Sequence, residues 1–347
     1  MNALPPNDPT SPTAASRDQA LPDTASGSPV PRRILVLGGT GFVGQSFCEQ
    51  WTRAVPGNSM LVVPTRRLSR AKAIQHLPGV QVVQADVMDP AVLQALVAPC
   101  DAVVNLVAIL QGSPLAFERV HAELPRQLAQ ACRDAGTARV VHVSALGVAS
   151  DAPSNYLRSK AAGEAALQVL GPVLAILRPS VIFGARDRFL NTFAALLAVA
   201  PVVPLAGAAA TFQPVWVEDV ARAIVHALLK PTATPPVLEC AGPDVFSLAD
   251  LVRLAGQWSG HPRPVFGLPA PVARLQALMM EALPGEPLMS RDNLASMEVP
   301  NVASGAVPGL SAVGITAASL RSIGPTYLAT GQGCARLDTL RARAGRR

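Results

Sequence analysis

The stretch RRILVLGGTGFVG, residues 32–44, decides the fold. Four apolar residues, Ile34–Leu37, read as a short buried strand, and Phe42–Arg53 continues with helical spacing. Between them Gly38, Gly41 and Gly44 permit a tight turn, close approach of a pyrophosphate, and close packing of helix on strand. Thr40, Phe42 and Val43 complete the turn. The start of such a helix offers unbonded N–H groups and a positive dipole end, which suit phosphate. Strand, glycine turn and helix in this order imply a dinucleotide site rather than an ordinary turn.

The rhythm continues outward from that unit. Met60–Val63, Val80–Val83, Ala102–Val107, Arg139–Ser144 and Val173–Leu177 are apolar runs, with helical stretches near Pro90–Val97, Pro114–Ala135 and Asn155–Leu170. Continuous rather than alternating apolar strands, separated by helices, predict a parallel sheet covered on both faces. The fold class is therefore α/β, a doubly wound parallel sheet of Rossmann type with a small C-terminal lobe. Less regular elements follow Pro179: helices near Arg188–Val199, Glu218–Leu229 and Leu248–Trp258, and a strand at Val237–Cys240. The expected organisation is a disordered leader over 1–31, a dinucleotide-binding unit over 32–235, a lobe over 236–332, and a basic tail over 333–347.

Composition narrows the function classes. Of 347 residues half are apolar and 15% charged, which excludes a wholly disordered chain. The net charge is +6, but Arg336, Arg341, Arg343, Arg346 and Arg347 against Asp338 place most of it in the tail. With aromatics at 4%, neither a basic nucleic-acid face nor a base-stacking platform is expected. Five scattered cysteines and five histidines show no ligand spacing, so no metal site and no disulfide frame are expected, and a reducing, cytoplasmic compartment fits. No run of eighteen apolar residues occurs. The helix around Arg274–Leu283 reads either as lobe packing or as a membrane-surface or partner-docking element.

An acid about 20 residues past the glycines would hold a ribose 2′-hydroxyl. Between Glu49 and Asp86 there is none, whereas Arg66 and Arg67 close the second strand. A guanidinium fork suits a 2′-phosphate, so NADP(H) is expected, with NAD second. Asp86 and Val87, after the third strand, are expected to reach the adenine, and Val107 joins the cofactor set after the fourth.

Ser144 ends the fifth strand, and Tyr156 and Lys160 share one face of the next helix. The chain has only two tyrosines and three lysines, so a chance match has a probability of about 0.02. An ammonium beside the phenol is expected to lower its pKa, which suits a general acid/base acting on a carbonyl oxygen that Ser144 orients.

Together Gly38–Gly44, Ser144, Tyr156/Lys160 and LRPSVIFG (177–184) resemble the extended and atypical short-chain dehydrogenase/reductase superfamily, of epimerase/dehydratase type. That resemblance implies cofactor contacts at Tyr156 and Lys160, and backbone contacts to a nicotinamide carboxamide at Pro179 and Val181. More narrowly, YLRSKAAGE (156–164), IFGARDRFLN (182–191) and QPVWVEDV (213–220) are similar to the NADPH-binding accessory subunit family of mitochondrial complex I and its bacterial relatives. This implies a tightly held NADPH, doubtful turnover, respiratory-complex or quinone-pathway partners, and peripheral contact with the inner face of a membrane. The alternatives are an active NADPH-dependent oxidoreductase or a nucleotide-sugar epimerase/dehydratase. One departure stands out: His121 lies where active relatives carry a proton-relaying Asn, and it either relays or packs.

Overall fold

The computed structural model describes residues 29–282 and 289–329. Apart from residues 29–31, the expected leader lies outside the described residues, and so does the basic tail. Seven strands form one parallel sheet: β1 (Arg33–Leu37), β2 (Met60–Thr65), β3 (Val80–Gln84), β4 (Ala102–Asn105), β5 (Arg139–Val143), β6 (Leu174–Pro179) and β7 (Val237–Cys240). Their order is β7-β6-β5-β4-β1-β2-β3, so the winding reverses between β1 and β4. Such a switch point leaves a crevice at the carboxyl ends of the strands, where ligands bind in this architecture.

Period-two alternation divides the core. Ile34 and Val36 face one side with Phe47, Trp51, Val220 and Ile224, from helices α1 (Phe42–Ala54) and α7 (Val217–Leu229). Leu35 and Leu37 face the other with Leu93, Leu128 and Leu167, from α2 (Pro90–Val97), α4 (Leu124–Ala135) and α5 (Asn155–Leu167). Both faces are dry, which is why the strands read as unbroken apolar runs. At the β7 edge, Glu239 N–H donates to Pro308 C=O at 2.9 Å, so a later segment shields part of that edge.

A third apolar cluster builds the lobe from α6 (Leu190–Val199), α8 (Leu248–Trp258) and α11 (Leu320–Leu328). Helix α9 (Ala270–Ala282) is attached differently from the lobe-packing expectation. Only Ala273 and Ala277 are buried, while Val272, Leu275, Leu278 and Met279 point outward. Among the described residues no helix is long and apolar enough to cross a membrane.

The stretch expected as one helix over Pro114–Ala135 is interrupted. Helix α3 (Pro114–Glu118) passes into a wider π-helical turn, Arg119–Glu123, before α4 begins. Pro125 explains the break: it has no N–H for the His121 carbonyl, and its ring crowds that oxygen. The freed carbonyl points at α5, where Gly163 lies so close that a Cβ would sit 2.0 Å from it. Gly163→Ala is therefore expected to push α4 from α5 and cost about 1–3 kcal/mol. Equilibrium urea unfolding checks this, and an unchanged midpoint would refute the contact.

Candidate functional site

The glycine turn sits at the switch point. Leu37 pairs with Asn105 across β1 and β4, and Gly38 follows at φ +80°. A Cβ there would lie 3.0–3.2 Å from the backbone of Leu106 and Val107, and its backbone conformation suits glycine. At Gly44 a Cβ would meet the Gly38 carbonyl at 2.5 Å, so strand and helix close tightly. Gly41 heads α1 without a side-chain cap, and its N–H donates to Gly38 C=O at 2.9 Å. Thr40 C=O accepts from Gln45 Nε2 at 2.8 Å, which fixes the turn. The first-turn N–H groups of Phe42, Val43 and Gly44 are left for a ligand.

The end of β2 supplies cations beside this turn. Arg66 and Arg67 are exposed, and among the described residues neither guanidinium is engaged; only the Arg67 backbone is tied, to Thr65 Oγ1. Asp86 is exposed and accepts from Met88 N–H at 3.1 Å, with Val87 half-buried beside it. Val107 N–H donates to Asn105 Oδ1, whose amide meets His142 Nδ1 at 3.2 Å.

Across β5, Lys160 reaches the strand end that Ser144 follows. Ser144 is 4% exposed and its Oγ is buried with no partner. Lys160, 2% exposed, donates from Nζ to Val143 C=O at 3.1 Å, and burial lowers its pKa to about 8. The Tyr156 phenol departs from expectation. Burial pushes it up to about 12, and no lowering by Lys160 opposes this. At neutral pH the Tyr156 phenol thus keeps its proton and is a hydrogen-bond donor.

The His121 question is resolved by its bonds. Nε2 accepts from Ile109 N–H at 3.1 Å, which leaves the proton on Nδ1, 2.9 Å from Ser159 Oγ. Ser159 in turn donates to Tyr156 C=O at 2.8 Å. The ring stands edge-on to Tyr156, with centroids 5.5 Å apart. Burial first, then Lys160, lowers its pKa to about 3. His121 packs and orients; it has no free nitrogen with which to relay a proton.

The β6 end is already occupied. Pro179 C=O accepts from Leu146 N–H, and Val181 N–H donates to Asn301 Oδ1 at 2.9 Å. The backbone contact expected of Val181 therefore requires Asn301 to yield. Two residues that sequence reasoning missed matter here, Asn301 and Asp292. Asp292 lies on α10 (Arg291–Ser296) and accepts from the Asn155 and Tyr156 N–H groups at 2.7 and 3.0 Å. With Ser154 capping Leu157 N–H, the start of α5 is closed to anions where that of α1 is open.

The NAD dependent epimerase/dehydratase family model matches residues 34–241. The chain belongs to that family. It is 32% identical over 298 residues to the mouse (Mus musculus) mitochondrial NADH dehydrogenase [ubiquinone] 1 alpha subcomplex subunit 9, covering 83% of this chain and 78% of that one. It is 27% identical over 239 residues to the ceramide reductase of Caulobacter vibrioides, covering 69% and 74%. In fold it matches MoeE5 solved with UDP-glucose and NAD, with a TM-score of 0.63 and 18% identity over 89% of this chain and 99% of that one.

The site fits the nicotinamide dinucleotide of this family on three observations: the uncapped α1, the Gly38 turn against Leu106, and the orphaned Ser144 Oγ. When bound, that group would supply a hydride donor or acceptor, and the Gly38–Gly44 turn with the open start of α1 would hold its phosphates.

The buried histidines fix a pH response. His121 and His142 both have depressed pKa values, so the unfolded chain binds more protons below about pH 6.5. Their contribution is present above that pH and is lost as pH falls toward 3. Stability is expected to decline over this window, and His121 ring resonances in NMR should not titrate between pH 5 and 8. A His121 midpoint near 6.5 would contradict the buried neutral ring.

Proposed function

We propose that this chain is a cofactor-holding accessory protein of the respiratory NADH:quinone machinery, binding NADP(H) in preference to NAD(H) and turning over slowly. One observation carries the cofactor choice: two unengaged guanidinium groups, Arg66 and Arg67, stand at the end of β2 where an NAD-selective site wants a carboxylate. Similarity to subunit 9 of the mouse enzyme supports the respiratory partner, with the chain on the inner, cytoplasmic side of the membrane and peripheral to it. In this reading Gly38, Thr40, Gly41, Phe42, Val43 and Gly44 hold the pyrophosphate, Asp86, Val87 and Val107 line the adenine side, and Tyr156 and Lys160 hold the nicotinamide ribose. Pro179 and Val181 line the nicotinamide end.

A second reading, an active NADPH-dependent reductase, draws on the unpartnered Ser144 Oγ, the protonated Tyr156 phenol and similarity to a ceramide reductase. Turnover separates the two.

Denaturing the purified chain and identifying the released nucleotide by mass spectrometry should yield NADPH. The affinity ratio should favour NADPH over NADH at least tenfold, about 1.4 kcal/mol, and should collapse in the Arg66→Ala/Arg67→Ala variant. Equal affinities in the parent would sink the NADP(H) assignment. Tyr156→Phe should leave binding within about 1 kcal/mol, the scale of one neutral hydrogen bond. Sustained NADPH oxidation on quinones or aldehydes, abolished by Tyr156→Phe with cofactor still bound, would favour the reductase instead.

A further inference from the structure

One segment, residues 289–301, crosses the carboxyl edge of the sheet and is fastened behind three neighbouring strands. Behind β4, Asn293 Nδ2 donates to Leu110 C=O at 3.4 Å. Behind β5, Val299 packs over Gly147, where a Cβ would come within 3.1 Å of its side chain. Where α5 begins, the Asp292 carboxylate gathers the Asn155 N–H at 2.7 Å, the Tyr156 N–H at 3.0 Å and Asn155 Nδ2 at 3.0 Å. Behind β6, Asn301 Oδ1 accepts from Ser180 Oγ at 2.7 Å and Val181 N–H at 2.9 Å.

These attachments fall on the Tyr156 and Val181 backbone and on Gly147, three residues past Ser144. Their chemistry is mostly polar: no residue from Arg291 to Asn301 is fully buried, and beyond the half-buried Met297 on the lobe cluster and a backbone bridge from Asn301 to Thr211 and Gln213, side-chain hydrogen bonds hold the segment down. An element held by a few polar bonds and little burial opens locally at much lower cost than global unfolding. The strongest bond set is at Asp292, where one carboxylate takes two otherwise orphaned N–H groups at a helix start.

We propose that Asp292 and Asn301 form a clasp that holds residues 289–301 shut over the site, so that a bound dinucleotide leaves slowly and substrates enter only when the clasp opens. The retention half of this inference rests on the dinucleotide reading above; the clasp itself does not.

The test uses the full chain loaded with NADPH and follows release by the fall in nucleotide fluorescence on mixing with an NADPH-oxidising scavenger. Asp292→Ala and Asn301→Ala should each release at least tenfold faster than the parent, with Asp292→Asn between parent and alanine because it keeps one acceptor oxygen. Rates within twofold of the parent in cooperatively unfolding variants would overturn the proposal. Should Asp292→Ala not fold, Asp292→Asn alone decides by the same criterion. Hydrogen exchange reads the clasp without cofactor. The Asn155 and Tyr156 amides should exchange at least tenfold faster in Asp292→Asn, and unchanged protection would overturn the clasp even where no nucleotide binds. A parent that binds no nicotinamide nucleotide, with those amides exposed by Asp292→Asn, would instead overturn the functional reading and the retention it implies.

Discussion

A buried polar group must find a partner, and a parallel sheet collects its loose ends at one edge. All seven strands here point their carboxyl ends the same way, so helix starts, strand-end carbonyls and the side chains between them share one rim. The chain satisfies that rim selectively. The start of α5 is closed by Ser154 and Asp292, and the β6 end is closed by Asn301. The start of α1 and the Ser144 hydroxyl are left open. An orphaned buried donor or acceptor costs about 1–3 kcal/mol, so a ligand that bonded the Ser144 hydroxyl and the α1 start would relieve that cost on one rim.

A single proline shapes the other half of the site. By denying His121 C=O its helical donor, Pro125 widens one turn, and Gly163 lets α5 close on the exposed oxygen. The same turn swings the His121 ring between Phe117 and Tyr156, where Ile109 N–H and Ser159 consume both nitrogens. A relay position thus becomes a structural one. The loss of acid/base capacity at His121 and the firm seating of the Tyr156 backbone have one cause.

The sheet was legible because its signals are local. Apolar runs, the glycine turn and the Tyr156–Lys160 spacing each lie within a few residues, and register follows from alternation. Charge placement at Arg66 and Arg67 was legible for the same reason. What escaped was non-local or depended on burial. Asp292 meets Asn155 from 137 residues away, and nothing in its surroundings marks it as more than the first turn of a short helix. The Tyr156 pKa was misjudged because a four-residue spacing shows neither the desolvation that raises the phenol nor that the Lys160 ammonium is spent on Val143 C=O. For α9 the apolar spacing was real, yet spacing alone does not say whether a stripe turns inward.

Retention and turnover ask different things of the same residues. Lys160, pinned to Val143 C=O and depressed to about 8, can still donate to a ribose hydroxyl, which requires only a positioned ammonium. Rapid proton transfer asks for a phenol tuned toward the working pH and a route for its proton to leave. Tyr156 is pushed up to about 12, and the neighbouring His121 ring has both nitrogens spent. The bonds that fill both His121 nitrogens also seat the Tyr156 backbone through Ser159. On the accessory reading this is one design consideration rather than two: a site that need not cycle can place its polar groups for grip, and the resulting high phenol pKa carries no penalty.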